Sequence, residues 1–356
     1  MIGTWRLLLA LVVVCAHLFH PWWPGAMAVF GFYVISGFLM TVILHEQYSF
    51  SWTGLRAFWI NRVLRIYPPY YFACLVSIAL ILALPGGAVS GFNAHLSIPD
   101  TTGEVVTNTL IFGLIDWPED RSSLVVPGWT LFIELVHYLV ISLWAGRSRT
   151  TAFVFLALSV GYIVVVYLFL DGNFGFRYLL PPAGSFPFAV GALMYFYREP
   201  IGRIIAAIGW TRAFAAAGVL YSLVFVVGAL VADPLGACLY ASVLASALLL
   251  IVLWHAPPSP LRSADKVLGD LSYPTYLLHW QAGALVVLAT GYAPKSATAF
   301  VLSIGLVLCF ALAERRLVSM PIEKIRAAVK QRTGILLSKH RVVSKPAPLL
   351  QQKLPE

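Results

Sequence analysis

The chain has 356 residues, 60% of them apolar and 11% charged, with a mean hydropathy of +0.84. That balance excludes a water-solvated globular domain and describes an all-α polytopic membrane protein, and at 39.1 kDa the long apolar runs leave no room for a sizeable soluble domain. The net charge of +9 would suit a nucleic-acid partner, but the cations fall in the short joints between apolar runs and in the tail, where they act as topology determinants and imply no nucleic acid.

The first apolar stretch, residues 5–23, sets a cation and a titratable ring into a helix. Arg6 and His17 are eleven positions apart, about three helical turns, so they project from one face with the imidazole roughly 16 Å deeper. Ionisable groups at such depth are costly and mark an internal, hydrated or paired site. The plainer alternatives are a topology charge for Arg6 and a packing contact for His17. A cleavable signal peptide is a poor reading, because cleavage near residues 26–28 would remove the segment that holds both residues. Cys15, Cys74, Cys238 and Cys309 lie in apolar runs without CxxC or Cys/His spacing, so neither a disulfide framework nor a metal site is expected.

Further membrane-length windows follow at 27–45, 67–85, 127–145, 151–170, 181–197, 213–231, 236–254, 272–290 and 297–317, making about ten transmembrane helices with the first. Alternate joints, at 46–66, 146–150, 198–212 and 255–270 and after 317, hold most of the Arg and Lys residues. By the positive-inside rule both termini are therefore cytoplasmic, and an even helix count agrees. The basic tail, residues 327–356, shows no apolar period and reads as disordered or lying on anionic lipid, which leaves residues 1–326 as the transmembrane domain.

Small residues among bulky ones in residues 31–38 allow close helix approach. Beyond them, Arg62 and Arg65 lie three apart at the expected cytoplasmic edge, where both guanidinium groups share a helical face able to grip a phosphate; the alternative is topology charge alone. The longest outer joint, residues 86–126, leads into a helix that carries Glu134 well inside its apolar run. A carboxylate there needs a partner, and His17 or Arg6 are the natural ones: the first would be a site, the second a structural ion pair. His137 reads as packing. His279 could line a tunnel or make an ordinary helix contact.

Taken together and in order, the spaced Arg6 and His17, residues 33–39 (YVISGFL), 62–69 (RVLRIYPP), 128–138 (GWTLFIELVHY), 185–193 (SFPFAVGAL), 268–280 (LGDLSYPTYLLHW) and the closing 314–326 resemble the acyltransferase-3 family of integral membrane acyltransferases. The resemblance implies transfer of an acyl group, commonly acetyl, from cytoplasmic acyl-CoA to a sugar hydroxyl of an extracytoplasmic or lipid-linked polysaccharide, in the plasma (inner) membrane. It implies essential roles for Arg6 and His17 and a donor-facing role for Arg62 and Arg65. Phe132, Leu135 and His137 replace the aromatic and polar residues the family sets around the Glu, and no esterase-like domain follows the last apolar helix. In this reading His17 is the general base, because its unperturbed pKa of about 6.5 suits proton transfer near neutrality. A secondary transporter or flippase would use Arg6, His17 and Glu134 as a proton relay, but the internal repeats it should carry are not seen in the sequence. A structural partner in polysaccharide export would not need His17.

Overall fold

The computed structural model describes residues 1–20, 24–84, 86–115, 121–230 and 236–343, with side chains as far as residue 334 apart from that of residue 333. All regular structure among these residues is helical. The order is α1 (Ile2–Leu18), α2 (Pro24–Ile43), α3 (Trp52–Ala83), α4 (Ala88–Phe92), α5 (Thr102–Leu110), α6 (Gly128–Val140) and α7 (Arg149–Phe169). Then come α8 (Pro181–Ile208), α9 (Trp210–Leu230), α10 (Ala237–Trp254), α11 (Arg262–Thr290), α12 (Ala297–Glu314) and α13 (Met320–Val343). Short π-helical turns extend α2, α6 and α12 at Leu44–Tyr48, Ile141–Ala145 and Arg315–Ser319.

Among the described residues each of the ten apolar windows falls mainly on a helix, and seven of these helices, α2, α3, α6, α7, α9, α10 and α12 with their extensions, are long and apolar enough to cross a membrane. The other three windows lie in α1, which has only 17 residues, in α8, which contains Pro187 and Pro200, and in α11, whose first turns carry Arg262, Asp265, Lys266 and Asp270. Pro187 is buried where neighbouring helices can satisfy the freed backbone, whereas Pro200, Arg262 and Lys266 are exposed.

Three boundaries differ from the sequence expectation. Helix α1 stops at Leu18, shortly before Pro21, since a proline disfavours helix at the residue preceding it; the end of the expected 5–23 window lies outside the described residues. Helix α3 begins not at residue 67 but at Trp52, capped by the Ser51 hydroxyl accepting from Gly54 N at 3.2 Å, and it runs through Pro68 and Pro69. Arg62 and Arg65 are thus helical, just ahead of two prolines that leave the carbonyls of residues 64 and 65 without their usual helix donors. Residues 327–343, expected without regular structure, continue α13: Ala327, Ala328, Lys330, Gln331 and Arg332 are all good helix formers. Residues 344–356 lie outside the described residues.

Helix α2 is the most enclosed, whereas α7 and α9 turn Phe153, Leu158 and Phe169, and Val219, Leu223 and Leu230, outward, as a lipid-facing surface requires. Two glycine contacts determine how closely the central helices approach. A Cβ on Gly37 of α2 would lie 2.3 Å from the Phe188 carbonyl of α8, and one on Gly3 of α1 would lie 1.9 Å from the Asp265 carbonyl of α11; only a bare backbone fits at either crossing. Gly3 meets Gly269, and His17 meets His279, so α1 and α11 run parallel. Asp265 secures the start of that pair by accepting from Gly3 N at 3.2 Å, Thr4 N at 2.8 Å and Thr4 Oγ1 at 2.7 Å. A side chain from α11 thereby satisfies the open amides at the beginning of α1.

Candidate active site

A cavity of ≈ 240 Å³ lies among α1, α2, α3, α6 and α11, with Arg6, Arg62, Arg65 and Glu134 among its walls. Each charged group reaches it for a local reason. Arg6 comes from the second turn of α1, and Arg62 and Arg65, three positions apart, share one face of α3. Glu134 projects from α6 one turn before Tyr138, so the Tyr138 hydroxyl donates to the carboxylate within the same helix. Ser36 of α2 donates to the same Glu134 Oε1 at 2.9 Å. The carboxylate is held between two helices by hydroxyl groups, and no ion pair joins it to Arg6 among the described residues.

The cations are under-neutralised. Arg62 is buried at 6% exposure, yet its Nη1 reaches only Met40 Sδ at 3.6 Å, its guanidinium lies 5.7 Å from the Phe58 ring centre, and its Nε has no hydrogen-bond partner. Arg65 lies within electrostatic reach of both Arg6 and Arg62. The Tyr33 hydroxyl, also on the cavity wall, is buried without a partner. Buried polar groups are nearly always satisfied, and three guanidinium groups around one carboxylate form a site suited to an anion.

His17 is not on that cavity wall. Its Nδ1 lies 2.8 Å from His279 Nε2, with the two ring centroids 5.0 Å apart and nearly parallel, and Trp280, at 5.2 Å from His17 and 5.7 Å from His279, closes a three-ring cluster. The His279 Nδ1 lies 2.7 Å from the Tyr276 carbonyl, which can only accept, so Nδ1 carries the proton. With both rings neutral, His279 Nε2 is then the acceptor and His17 Nδ1–H the donor, which leaves His17 Nε2 with a free lone pair. His279 is fully buried, whereas His17 is half-buried. Tyr276 joins the two centres: its ring lines the cavity, its hydroxyl meets Thr130 Oγ1 at 2.9 Å, and its carbonyl orients the histidine pair.

The structure therefore brings Arg6, Arg62, Arg65 and Glu134 together and leaves His17 beyond Tyr276. The expected Glu134 pairing with His17 or Arg6 is replaced by Ser36 and Tyr138, because α6 presents Glu134 to α2 and His17 faces α11. His17 meets His279 of α11, and Arg6 lines the cavity that Ser272, Tyr273 and Tyr276 of α11 also border. His137 packs as expected: it stacks on Phe188 at 4.4 Å with an interplanar angle of 5°, and its Nδ1 donates to Ile133 O at 2.7 Å. The sequence reading missed Tyr138, Ser36 and Tyr276. Tyr138 stands one turn from Glu134 and was detectable from that spacing; Ser36 and Tyr276 belong to distant helices and carry no local signal.

This arrangement sets a cationic cavity toward one end of α1 and an oriented imidazole toward the other, inside an apolar helical bundle. Residues 2–314 match the family described as Acyltransferase domain, and the chain belongs to that acyltransferase-3 family. No curated protein and no solved structure matches it.

Proposed function

We propose that the protein moves an acyl group, acetyl in the simplest case, from cytoplasmic acyl-CoA to a hydroxyl of an extracytoplasmic or lipid-linked polysaccharide. The observation that carries this reading is the free Nε2 of His17, fixed by the chain His17 Nδ1–H, His279 Nε2, His279 Nδ1–H and the Tyr276 carbonyl. A sugar hydroxyl is a poor nucleophile until a base takes its proton as it attacks. In the proposed step the O–H proton passes to His17 Nε2 as the oxygen attacks the thioester carbonyl. The C–O bond forms, the C–S bond breaks, and the proton leaves with the coenzyme A thiol. The imidazolium formed in passing rests against Trp280, whose ring face favours a cation.

Arg6, Arg62 and Arg65 receive the anionic donor, and Glu134, Ser36 and Tyr138 line the channel through which its acyl arm reaches Tyr276. The topology belonging to this reading has ten crossings, with α1, α8 and α11 completing the seven, and both termini in the cytoplasm. A proton-relay transporter is less well supported, because Glu134 and His17 bond to different partners and form no continuous chain. Membranes supplied with labelled acetyl-CoA test the proposal: label should pass to polysaccharide with the native chain and not with His17→Ala at equal abundance. Transfer by the His17→Ala protein at the native rate would overturn the assignment. In sided vesicles, donor at the face bearing the tail and acceptor enclosed at the other should suffice. Transfer only when both share the tail face would place the acceptor on the cytoplasmic side.

A further inference from the structure

A second cavity, of ≈ 190 Å³, lies beside the first and shares Arg65 and Tyr273 with it. Its walls come from α3, α11, the π-helical turn Arg315–Ser319 and α13. They bring four cations, Arg65, Lys266, Arg315 and Arg326, against two carboxylates, Asp270 and Glu323. Both carboxylates are engaged: Lys266 Nζ lies 3.1 Å from Glu323 Oε1, and Arg315 Nε lies 3.6 Å from Asp270 Oδ2. That accounting leaves Arg65 and Arg326 in excess. The Nε of Arg326 is buried without a hydrogen-bond partner, that of Arg315 has only the long Asp270 contact, and Arg326 lies within electrostatic reach of Arg65 and Arg62.

Guanidinium groups thus run from Arg326 through Arg65 and Arg62 to Arg6, linking the two cavities with too few carboxylates to neutralise them. Like charges in a poorly hydrated place repel strongly, and such a cluster is tolerable when an anion completes it. Arginine is suited to that task because its planar fork matches phosphate oxygens two at a time.

We propose that the second cavity binds the phosphate groups of the donor's nucleotide, with Arg65, Arg315 and Arg326 as ligands, so that the rest of the donor lies along the Arg6 and Glu134 cavity toward Tyr276. This rests on the acyl-CoA reading above and assigns three of its contacts. The chemistry recognised is a phosphate dianion or diphosphate, which a lipid headgroup also offers. The shared wall at Arg65 and Tyr273 favours the nucleotide, since it connects this cavity to the one holding the reactive end.

The test uses the full chain in lipid nanodiscs and two acyl donors, acetyl-CoA and acetyl-pantetheine, the second lacking every phosphate. Arg326→Gln and Arg315→Gln should each raise KM for acetyl-CoA about tenfold or more, the scale of one lost charge-assisted hydrogen bond. Both should leave kcat, and all constants for acetyl-pantetheine, unchanged. Arg326→Lys, which keeps the charge and loses the fork, serves if a Gln variant fails to accumulate, and should fall between native and Gln. An unchanged KM for acetyl-CoA, or an equal loss with both donors, overturns the assignment while leaving the acyl-transfer reading intact. A native chain that uses neither donor overturns both. Anionic phosphatidylglycerol in the nanodiscs should leave acetyl-CoA affinity as it is in phosphatidylcholine; competition that Arg326→Gln removes would assign the cavity to lipid instead.

Discussion

The two ends of α1 differ in how their charged or titratable residue is held. Arg6 faces a cavity, has no ion-pair partner among the described residues and stands near Arg65, a like charge. His17 is held on one nitrogen by His279 and lies against Trp280, so its orientation is set before any substrate arrives. The first environment suits binding, where the ligand supplies the missing charge; the second suits proton transfer, which requires a defined lone pair in a defined direction. Positions about three turns apart on one helix can hold both because Tyr276 of α11 contributes its ring to one environment and its carbonyl to the other.

The largest effect should come from removing the base. His17→Ala is expected to lower kcat by about 10² to 10⁴ while donor KM stays within about twofold, whereas a parallel loss in both would make the two ends a single site. Next is His279→Leu, which deletes the acceptor behind His17 Nδ1 and should lower kcat by roughly 10² through loss of orientation. His279→Gln, which offers an amide oxygen near the same place, should recover most of it. No recovery with Gln, at normal abundance, would mean the ring matters for packing and not for orientation.

Arg6→Lys addresses the other end: donor KM should rise about tenfold with kcat nearly constant, because a point charge does not reproduce a planar fork. Steady-state kinetics on purified protein separate the two terms. Gly3→Ala disturbs both ends together, since the new methyl meets the Asp265 backbone. Overpacking of this kind costs about 1 to 3 kcal/mol and should appear as a lower thermal midpoint in detergent.

The smallest effect concerns Asp265, ahead of the apolar part of α11. Burial alone raises its carboxyl, but the amino group of Met1 at 2.7 Å and the Thr4 and Gly3 donors outweigh it and bring the carboxyl down to about 2. A carboxyl depressed on folding adds stability above its unfolded value near 3.8 and loses that contribution as pH falls through about 2. Midpoints of the native chain should therefore decline below pH 4, and those of Asp265→Asn should decline less. Identical slopes would remove Asp265 from the account.

Much of this was legible in sequence wherever a local period carries the information. Among the described residues the apolar windows fall mainly on helices, and His17 is indeed turned toward α11. The partners were not legible. Ser36 and Glu134 are 98 positions apart, and nothing in the period of α2 or α6 says that these faces meet. His279 was weighed between a tunnel wall and a helix contact, and only the α1 to α11 crossing shows it behind His17. The continuity of α3 was obscured by Pro68 and Pro69, whose local preference is overridden by packing.

The parallel contact of α1 with α11 also constrains how the protein is made. The residues it joins, Gly3 to Asp265 and His17 to His279, are each 262 positions apart. At about 5 to 20 residues per second, the ribosome delivers α11 roughly ten to fifty seconds after α1. Through that interval the first helix holds a charged group and an imidazole in the bilayer before either can meet its final neighbours, and the helices made in between assemble around an incomplete centre. Chains stopped before residue 262 should thus insert most of their helices yet leave α1 exposed to quality-control proteases, because its partner helix has not yet been made.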